Sequence, residues 1–333
     1  MLNFGTIGSG WIADEYIKGA IDSGFWDLTA VYSRTEERAK TYAEKHNAPH
    51  YFTDIQKMAE SEVIDAVYIA SPNVLHYEYS KIFLSHKKHV ICEKPLCAQA
   101  DKVLELQKIA EENGVIFLEA IMFMHLPQRA ILEEALSKIG DISFAKIDFC
   151  QRSSKLEAYL AGDLPNIFNR KMEAGALMDL GVYCVYPALH FFGEPQDFSV
   201  EVQTLRGGAD CTGIVSMQYP GKMVVLTYSK VGQAMAGSEF QGSQGTVYVD
   251  SISRLADMIL MDSTGEKTPL YGDEEKYKLM GYEAADFYRY ISNPERYQDD
   301  YQKCLAASRS VSTFMEKIRL KSGIVFESDR IAE

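Results

Sequence analysis

The chain has 333 residues, of which 47 % are hydrophobic and 24 % charged, and its net charge at pH 7 is −13. This negative charge disfavours binding to nucleic acid or to an anionic membrane. No apolar run approaches the roughly 20 residues that span a bilayer, and the six cysteines show no C-x-x-C spacing. We therefore expect a cytoplasmic protein with reduced thiols and two domains, without a nucleic-acid or membrane partner.

The beginning of the chain predicts a nucleotide site. An apolar run over residues 2–7 indicates a buried strand, and apolar residues at helical spacing follow. Between them, GSGWIA at residues 8–13 has the form G-x-G-x-x-A, which gives a tight turn, close backbone approach to a pyrophosphate and close helix packing. A purely structural glycine turn is the alternative. The residues expected to hold the pyrophosphate are Gly8, Gly10, Trp11 and Ile12.

The end of the second predicted strand, at residues 28–32, bears on the choice between NAD and NADP. An NAD-selective site usually has Asp or Glu there, which binds the adenosine ribose. This chain has Ser33 and Arg34 instead, with Arg38 one helical turn further. Guanidinium groups bind phosphate in a fork geometry, so these residues favour the 2′-phosphate of NADP. Two nearby glutamates weaken the signal; NAD remains possible, and an ordinary solvated helix turn is the alternative.

Strands and helices alternate through residue 120, which predicts a doubly wound parallel sheet, a Rossmann domain. Two polar segments follow the carboxyl ends of its third and fourth predicted strands, Ser-Pro-Asn at 71–73 and Glu-Lys-Pro at 93–95. Ligands of such sheets bind at that edge. We therefore expect further cofactor contacts from Ser71, Asn73, His76, Glu93 and Lys94.

The second half of the chain has a different pattern. Strand-like segments at 142–150 and between 198 and 250 recur at hairpin spacing, which predicts an α/β domain with a large, open, mostly antiparallel sheet. A last strand is expected at 324–326. We place the domain boundary so that residues 1–121 bind the dinucleotide and residues 122–333 bind the substrate and form the oligomer.

Three side chains are the candidates for catalysis. Lys94 directly follows a strand and can donate to a substrate oxygen, unless it is a surface lysine paired with Glu93. Asp179 and Tyr183 stand at i, i+4 on an otherwise apolar helix, where polar groups are costly to bury without a purpose. A tyrosine hydroxyl can move an alcohol proton, and a lysine ammonium would stabilise its phenolate. A core tyrosine with a structural aspartate is the alternative reading.

The substrate pocket is predicted less sharply. Aromatic and polar residues lie close to the predicted domain boundary at residues 121–122, and more follow in the irregular segment 151–173. The histidines show no metal-ligand spacing, so no metal is expected. The candidate substrate residues are Phe123, His125, Phe149, Phe168, Asn169 and Arg170.

Four segments together resemble the Gfo/Idh/MocA oxidoreductases. They are G-x-G-x-x-A at 8–13, Ser-Pro-Asn-x-x-His at 71–76, Glu-Lys-Pro at 93–95 and Gly-Ala-Leu-x-Asp-Leu-Gly-x-Tyr at 175–183. The resemblance covers essentially the whole chain and implies hydride transfer between a nicotinamide and a hydroxyl-bearing carbon of a sugar, polyol or vicinal diol, without a metal. It also implies a homodimer or homotetramer formed through the C-terminal sheet.

Within that family, the Glu-Lys-Pro lysine matches Lys94 and the helix acid matches Asp179. Many members, inositol dehydrogenases among them, have His where this chain has Tyr183. Tyrosine there resembles the dimeric dihydrodiol dehydrogenase and NADP-dependent D-xylose dehydrogenase branch, which implies that Lys94 and Tyr183 are the acid/base pair. The segment 122–125 departs from that branch, which commonly has Trp and Arg there, so its substrates do not carry over.

Two other functions stay open on the sequence alone. A few proteins of this fold cleave glycosides through transient oxidation by tightly held NAD, and such a protein would purify with its cofactor. A non-catalytic nucleotide sensor is the second alternative, although a sensor does not need an acid/base pair.

Overall fold

The structure is a computed structural model that describes residues 1–330, so residues 331–333 of the predicted second domain lie outside it. Contacts divide the chain into two compact units. The first consists of Met1–Met122 and Glu275–Arg309, and the second of Phe123–Glu274 and the residues from Ser310 onward. The first unit thus includes a segment from near the end of the chain. That residues 1–121 bind the dinucleotide and the residues after them bind the substrate stays a prediction.

The first unit contains a parallel sheet with six strands. The strands are β1 (Leu2–Ile7), β2 (Trp26–Tyr32), β3 (His50–Phe52), β4 (Ala66–Ile69), β5 (His89–Glu93) and β6 (Phe117–Ala120). Their order across the sheet is β3-β2-β1-β4-β5-β6, with every neighbouring pair parallel. All four residues of β4 are buried, as expected for a parallel strand covered on both faces. This order is that of a dinucleotide-binding sheet, which confirms the predicted Rossmann domain.

The second unit contains a sheet with eight strands. The strands are β7 (Ile142–Cys150), β8 (Asp197–Thr204), β9 (Asp210–Tyr219), β10 (Lys222–Ser229), β11 (Ser238–Gly242), β12 (Gly245–Ser251), β13 (Ala256–Asp262) and β14 (Lys267–Tyr271). Their order is β14-β13-β12-β11-β7-β10-β9-β8. Among the strands described within residues 1–330, only β7 and β10 of this sheet pair in parallel, so the prediction of a mostly antiparallel sheet is confirmed. The expected strand at 324–326 is wrong, because that segment has no regular structure.

Helices connect many of these strands. In chain order they are α1 (Trp11–Asp22), α2 (Glu36–His46), α3 (Ile55–Glu60), α4 (His76–Ser85), α5 (Ala100–Asn113), α6 (Met122–His125), α7 (Gln128–Lys138), α8 (Leu156–Leu160), α9 (Val182–Phe192), α10 (Lys276–Ser292) and α11 (Pro294–Lys321).

Helix α10 packs closely on α1 in the first unit. A Cβ atom added at Gly19 would lie 2.2 Å from the carbonyl oxygen of Tyr277, so the two backbones meet where only glycine fits. The indole Nε1 of Trp26 donates to the carbonyl oxygen of Ala284 at 2.8 Å. A helix from the end of the chain is thereby fixed against the nucleotide-binding fold.

Within residues 1–330, one helical stretch, Arg170–Phe192, has the length and composition to cross a membrane. In the structure 67 % of its apolar window is buried inside the protein. Such burial is typical of the core helix of a folded domain.

Candidate active site

The glycine-rich loop has the geometry of a pyrophosphate cradle. Gly8 has φ +112°, and a Cβ atom there would lie 2.4 Å from the carbonyl oxygen of Ala70. Gly10 caps α1 without a side-chain hydrogen bond, and a Cβ atom there would have no atom within 4 Å. Trp11 is 67 % exposed and Ile12 half-buried. Open space above Gly10 and uncapped N–H groups at the helix start fit an anionic pyrophosphate.

The loop after β2 presents two arginines to solvent. Arg34 and Arg38 are exposed, and neither forms an ion pair with any residue of the described range 1–330. Ser33 is half-buried at the end of β2. Glu36, one of the glutamates that weakened the NADP signal, is paired with Lys40 at 2.8 Å. Its negative charge is therefore already compensated, and the arginines remain suited to a phosphate.

His76 joins two of the predicted segments. Its ring is 1 % exposed, with Nδ1 2.9 Å from the carbonyl oxygen of Pro95 and Nε2 2.9 Å from that of Ser71. Burial lowers the pKa of His76, while the two carbonyl groups act in the opposite direction. Asn73 starts a short 3-10 turn beside Ser71, and the Lys94–Pro95 peptide bond is cis. The predicted cofactor segments therefore meet at one edge of the sheet, held by His76.

Behind Lys94 lies a buried acid cluster, formed by Tyr16, Tyr68, Glu93 and Glu283. The hydroxyl of Tyr68 donates to Glu93 at 2.5 Å, and the rings of Tyr16 and Tyr68 stack at 3.8 Å. Glu283 of α10 is 1 % exposed, and neither of its carboxyl oxygens has a hydrogen-bond partner within residues 1–330. Burial raises the pKa of both carboxyls. The charge of Glu93 raises the pKa of Glu283 further, whereas the Lys94 ammonium and the Tyr68 hydrogen bond act in the opposite direction on Glu93.

Sequence reasoning assigned Glu93 to the cofactor and missed Glu283. Glu93 is only 9 % exposed and is held by Tyr68 inside the fold, which leaves it little surface for a ligand. Glu283 carries no motif, and it lies 190 positions after its neighbour in the cluster. Only the docking of α10 brings it there.

Asp179 and Tyr183 are partly exposed residues on an otherwise buried helical segment. Residues Leu177–Gly181 form a π-helical turn that leads into α9, where a single α-helix was predicted. From 173 to 188, Asp179 and Tyr183 are the two residues that are not buried. The ring of Phe149 lies 5.3 Å from that of Tyr183, edge to face. Single π-helical turns are frequent at functional sites, because they redirect side chains.

A buried lysine, Lys230, is the other residue that sequence reasoning missed. Its ammonium donates a hydrogen bond to a carboxylate oxygen of Asp179. The only sequence signal is a lysine directly after an apolar strand, the same position that Lys94 has after β5.

The predicted substrate residues fall into two groups. Phe123 is 1 % exposed and packs on His190 at 5.3 Å, and Phe168 is 0 % exposed and packs on Tyr159 at 5.2 Å. Both rings are core residues with little surface for a ligand. His125 is 7 % exposed. Their part in substrate binding stays a prediction.

Asn169 and Arg170 lie in the irregular segment before the π-helical turn, and both are half-buried. The Asn169 side chain accepts the N–H of Lys171 at 3.0 Å and caps a short 3-10 turn. Asn169 also bridges to Gly208 of the β8–β9 connection, where the Arg170 side chain packs. The structure thus gives both residues local contacts, and their contact with a substrate stays a prediction.

Comparisons with known proteins show the family to which the chain belongs. The model of the oxidoreductase family with an NAD-binding Rossmann fold, GFO/IDH/MocA, matches residues 2–121, and the model of its C-terminal domain matches residues 132–248. The chain is 38 % identical over 330 residues to scyllo-inositol 2-dehydrogenase (NADP(+)) IolU of Bacillus subtilis, covering 99 % of this chain and 100 % of that protein.

Two further proteins are more distant. The chain is 24 % identical to trans-1,2-dihydrobenzene-1,2-diol dehydrogenase of Mus musculus, over 99 % of both chains. The crystal structure of a 3-ketoreductase from Actinomadura kijaniata with NADP and TDP-benzene has the same fold, with a TM-score of 0.81 at 23 % identity, covering 96 % of this chain and 97 % of that one. These findings confirm the resemblance: the chain belongs to the GFO/IDH/MocA oxidoreductase family.

Proposed function

We propose that this protein is an NADP-dependent oxidoreductase that acts on a hydroxyl-bearing carbon of a polyol, a sugar or a vicinal diol. The observation that carries the proposal is the surface position of Asp179 and Tyr183 on a segment whose other residues are buried. The NADP-dependent inositol dehydrogenase and the diol dehydrogenase among the relatives support this substrate class.

The cofactor fits the residues of the first unit. Gly10 and the start of α1 would hold the pyrophosphate, and Arg34 and Arg38 the 2′-phosphate. When bound, the nicotinamide supplies the hydride exchange.

In this proposal the chain's own residues move and stabilise the proton. The Tyr183 hydroxyl exchanges a proton with the substrate hydroxyl, and the Lys94 ammonium stabilises the negative charge that develops on oxygen. Asp179 accepts a hydrogen bond from the substrate and orients it. This role requires polar groups that a substrate can reach, which explains why Asp179 and Tyr183 are partly exposed on a segment that is otherwise buried.

The cofactor assignment is tested by titrating the protein with NADPH and NADH while following nicotinamide fluorescence. We expect NADPH to bind at least about tenfold more tightly, a difference of about 1.4 kcal/mol from the phosphate contacts. Arg34→Ala should remove most of that preference. Arg289→Ala, which removes an arginine already paired with Asp286, is the matched control and should keep it. Equal or tighter binding of NADH would overturn the NADP assignment.

The catalytic assignment is tested with Tyr183→Phe on a panel of inositols, aldoses and vicinal diols. We expect kcat to fall by about 10²- to 10⁴-fold, since the proton-transfer group is lost, with the Kd for NADPH unchanged. Tyr219→Phe is the control, because that hydroxyl donates to the carbonyl oxygen of Gly193 and has no part in the proposal. Unchanged turnover in Tyr183→Phe would refute the role of Tyr183, and no turnover of any panel member would refute the proposed substrate class.

A further inference from the structure

Lys230 is buried although it is a lysine. It directly follows β10 and is 2 % exposed, and its Nζ donates to Oδ2 of Asp179. Lysines are almost never fully buried unless they are paired. The pair is one-sided, because the lysine side chain is 3 % exposed and that of Asp179 is 39 % exposed. A ligand at this surface can therefore reach Asp179 but not Lys230.

The backbone of Lys230 is held on both sides. Its N–H donates to the carbonyl oxygen of Cys211 on β9 at 2.8 Å, and its carbonyl oxygen accepts the N–H of Ser153 at 2.8 Å. The ring of Phe168 lies 5.9 Å from Nζ, within range of a cation–π contact. These contacts fix the position of Lys230 at the end of β10.

Asp179 is held in place through its own turn. The carboxylate of Asp210, 0 % exposed, accepts the N–H of Leu177 at 2.7 Å, where the π-helical turn begins. A Cβ atom at Gly175 would lie 1.9 Å from Oδ1 of Asp210, so this approach requires glycine. Burial raises the pKa of Asp210 to about 6, and the Lys230 ammonium acts in the opposite direction. One lysine therefore faces two carboxylates, of which only Asp179 reaches the surface.

We propose that Lys230 is a positioning residue: through its ion pair it keeps Asp179 ionised and fixes the direction of its carboxylate, without touching the substrate. This inference rests on the proposed function. An ionised, fixed carboxylate accepts a hydrogen bond from the substrate hydroxyl, whereas a protonated or rotated one does not. Because Lys230 and Asp179 lie 51 positions apart, the arrangement depends on the packing of the π-helical turn against the end of β10.

The test compares Lys230→Met and Lys230→Arg with the unchanged protein. Met fills the lysine volume without a charge, and we expect kcat to fall on the order of 10- to 100-fold, as for a misplaced catalytic group. The acidic limb of the pH profile of kcat/KM should move up by about one to three units, since a carboxylate loses its opposite charge. Lys230→Arg should restore the position of that limb. The NADPH Kd should not change.

Lys146→Met is the matched control. It removes the lysine that lies 3.8 Å from Asp148 on β7, another lysine–aspartate pair of the same sheet. We expect neither kcat nor the pH profile to change. A shift of the profile in Lys146→Met equal to that in Lys230→Met would overturn the proposal, and so would a Lys230→Met enzyme with the original kcat and profile.

A second measurement separates this inference from the proposed function. Carboxyl ¹³C NMR of aspartate-labelled protein follows the titration of Asp179 without any turnover, with Asp179→Asn used to assign the signal. An upward shift of that titration in Lys230→Met, in a protein that turns over no substrate, would support the ion-pair part and refute the reaction. An unchanged titration would refute the inference even if Tyr183→Phe proved catalysis. Thermal unfolding of each variant checks that it is folded.

Discussion

Glu283 in the first unit and Lys230 in the second are buried ionisable side chains whose charges are accommodated in different ways. In the first unit, Glu93 and Glu283 lie together inside the fold, and burial raises the pKa of both. Glu283 has no hydrogen-bond partner among residues 1–330, and burial together with the charge of Glu93 favours its neutral form. In the second unit, Lys230 is as deeply buried, but it is paired with Asp179. Protonation is favoured for Glu283, whereas an ion pair compensates the charge of Lys230.

The difference matches the proposed roles of the two regions. Because burial favours the neutral form of Glu283, less negative charge lies near the edge of the sheet where an anionic dinucleotide binds. An ion pair whose carboxylate reaches the surface provides a fixed charge for a substrate hydroxyl. The same physical cost, a charge taken out of water, therefore has two solutions with different chemical uses.

The largest expected effect comes from breaking the ion pair on its exposed side. Asp179→Asn removes the carboxylate that is hydrogen-bonded to the buried Lys230 ammonium and leaves only the charge of Asp210 near it, and we expect it to lower the free energy of unfolding by up to about 3–5 kcal/mol. Lys230→Met should cost clearly less, because the Asp179 carboxylate is 39 % exposed and can regain water. Urea unfolding of both variants at pH 7 measures the asymmetry. Equal losses would mean that the pair is not one-sided.

An intermediate effect, with a defined pH dependence, is expected for Glu283→Gln. Above the unfolded-state pKa near 4.5, the unfolded chain loses this proton while the folded chain keeps it, so the stability of the unchanged protein falls as pH rises. The amide imitates the neutral acid and removes that fall. Relative to the unchanged protein, the free energy of unfolding of the variant should rise by up to about 1.4 kcal/mol per pH unit until the pH reaches the folded-state pKa of Glu283.

Glu105→Gln is the control of opposite sign. The Lys81 ammonium beside Glu105 lowers the pKa of that carboxyl, so its contribution is present above the unfolded-state pKa and is lost as pH falls. Unfolding of both variants followed from pH 4 to pH 8 should therefore diverge, with Glu283→Gln gaining and Glu105→Gln losing stability at higher pH. Parallel curves would contradict the neutral state of Glu283.

The smallest effect is expected for a charge pair that is not buried at all. Lys40→Met releases Glu36, whose pairing leaves Arg34 and Arg38 free of an opposing carboxylate. Stability should stay unchanged within error, because exposed pairs contribute little. NADPH should bind about two- to threefold more weakly at low salt, and the difference should disappear at high salt because solvent-exposed charges are screened. A large loss of stability would contradict the expectation that the Lys40–Glu36 pair contributes little because it is exposed.

Much of the fold could be predicted from local patterns. The strands β1 and β7 have the predicted bounds. Those patterns depend on neighbours in the chain: alternation, helical spacing and turn residues. The hairpin of β13 and β14 escaped prediction, since β14 is a largely exposed edge strand without clear apolar alternation.

In the candidate site too, some residues could be predicted from local patterns and others could not. Gly10, Lys94, Asp179 and Tyr183 could be named from the sequence, because their motifs are contiguous and each residue's chemistry is unusual for its position. Whether a side chain is core or surface depends on packing, so the sequence could not show that Phe123, a substrate candidate, is 1 % exposed.

By itself, the sequence determined that strands and helices alternate in the first half of the chain and that strands at hairpin spacing follow in the second. It also determined a glycine loop after the first strand and a polar pair on an apolar helix. Only the tertiary structure decided which distant groups share a low-dielectric site. Glu283 meets Glu93 because α10 packs on α1, and Lys230 meets Asp179 because the π-helical turn packs against β10. The state of a buried charge depends on its neighbours in space, and no local pattern encodes those neighbours.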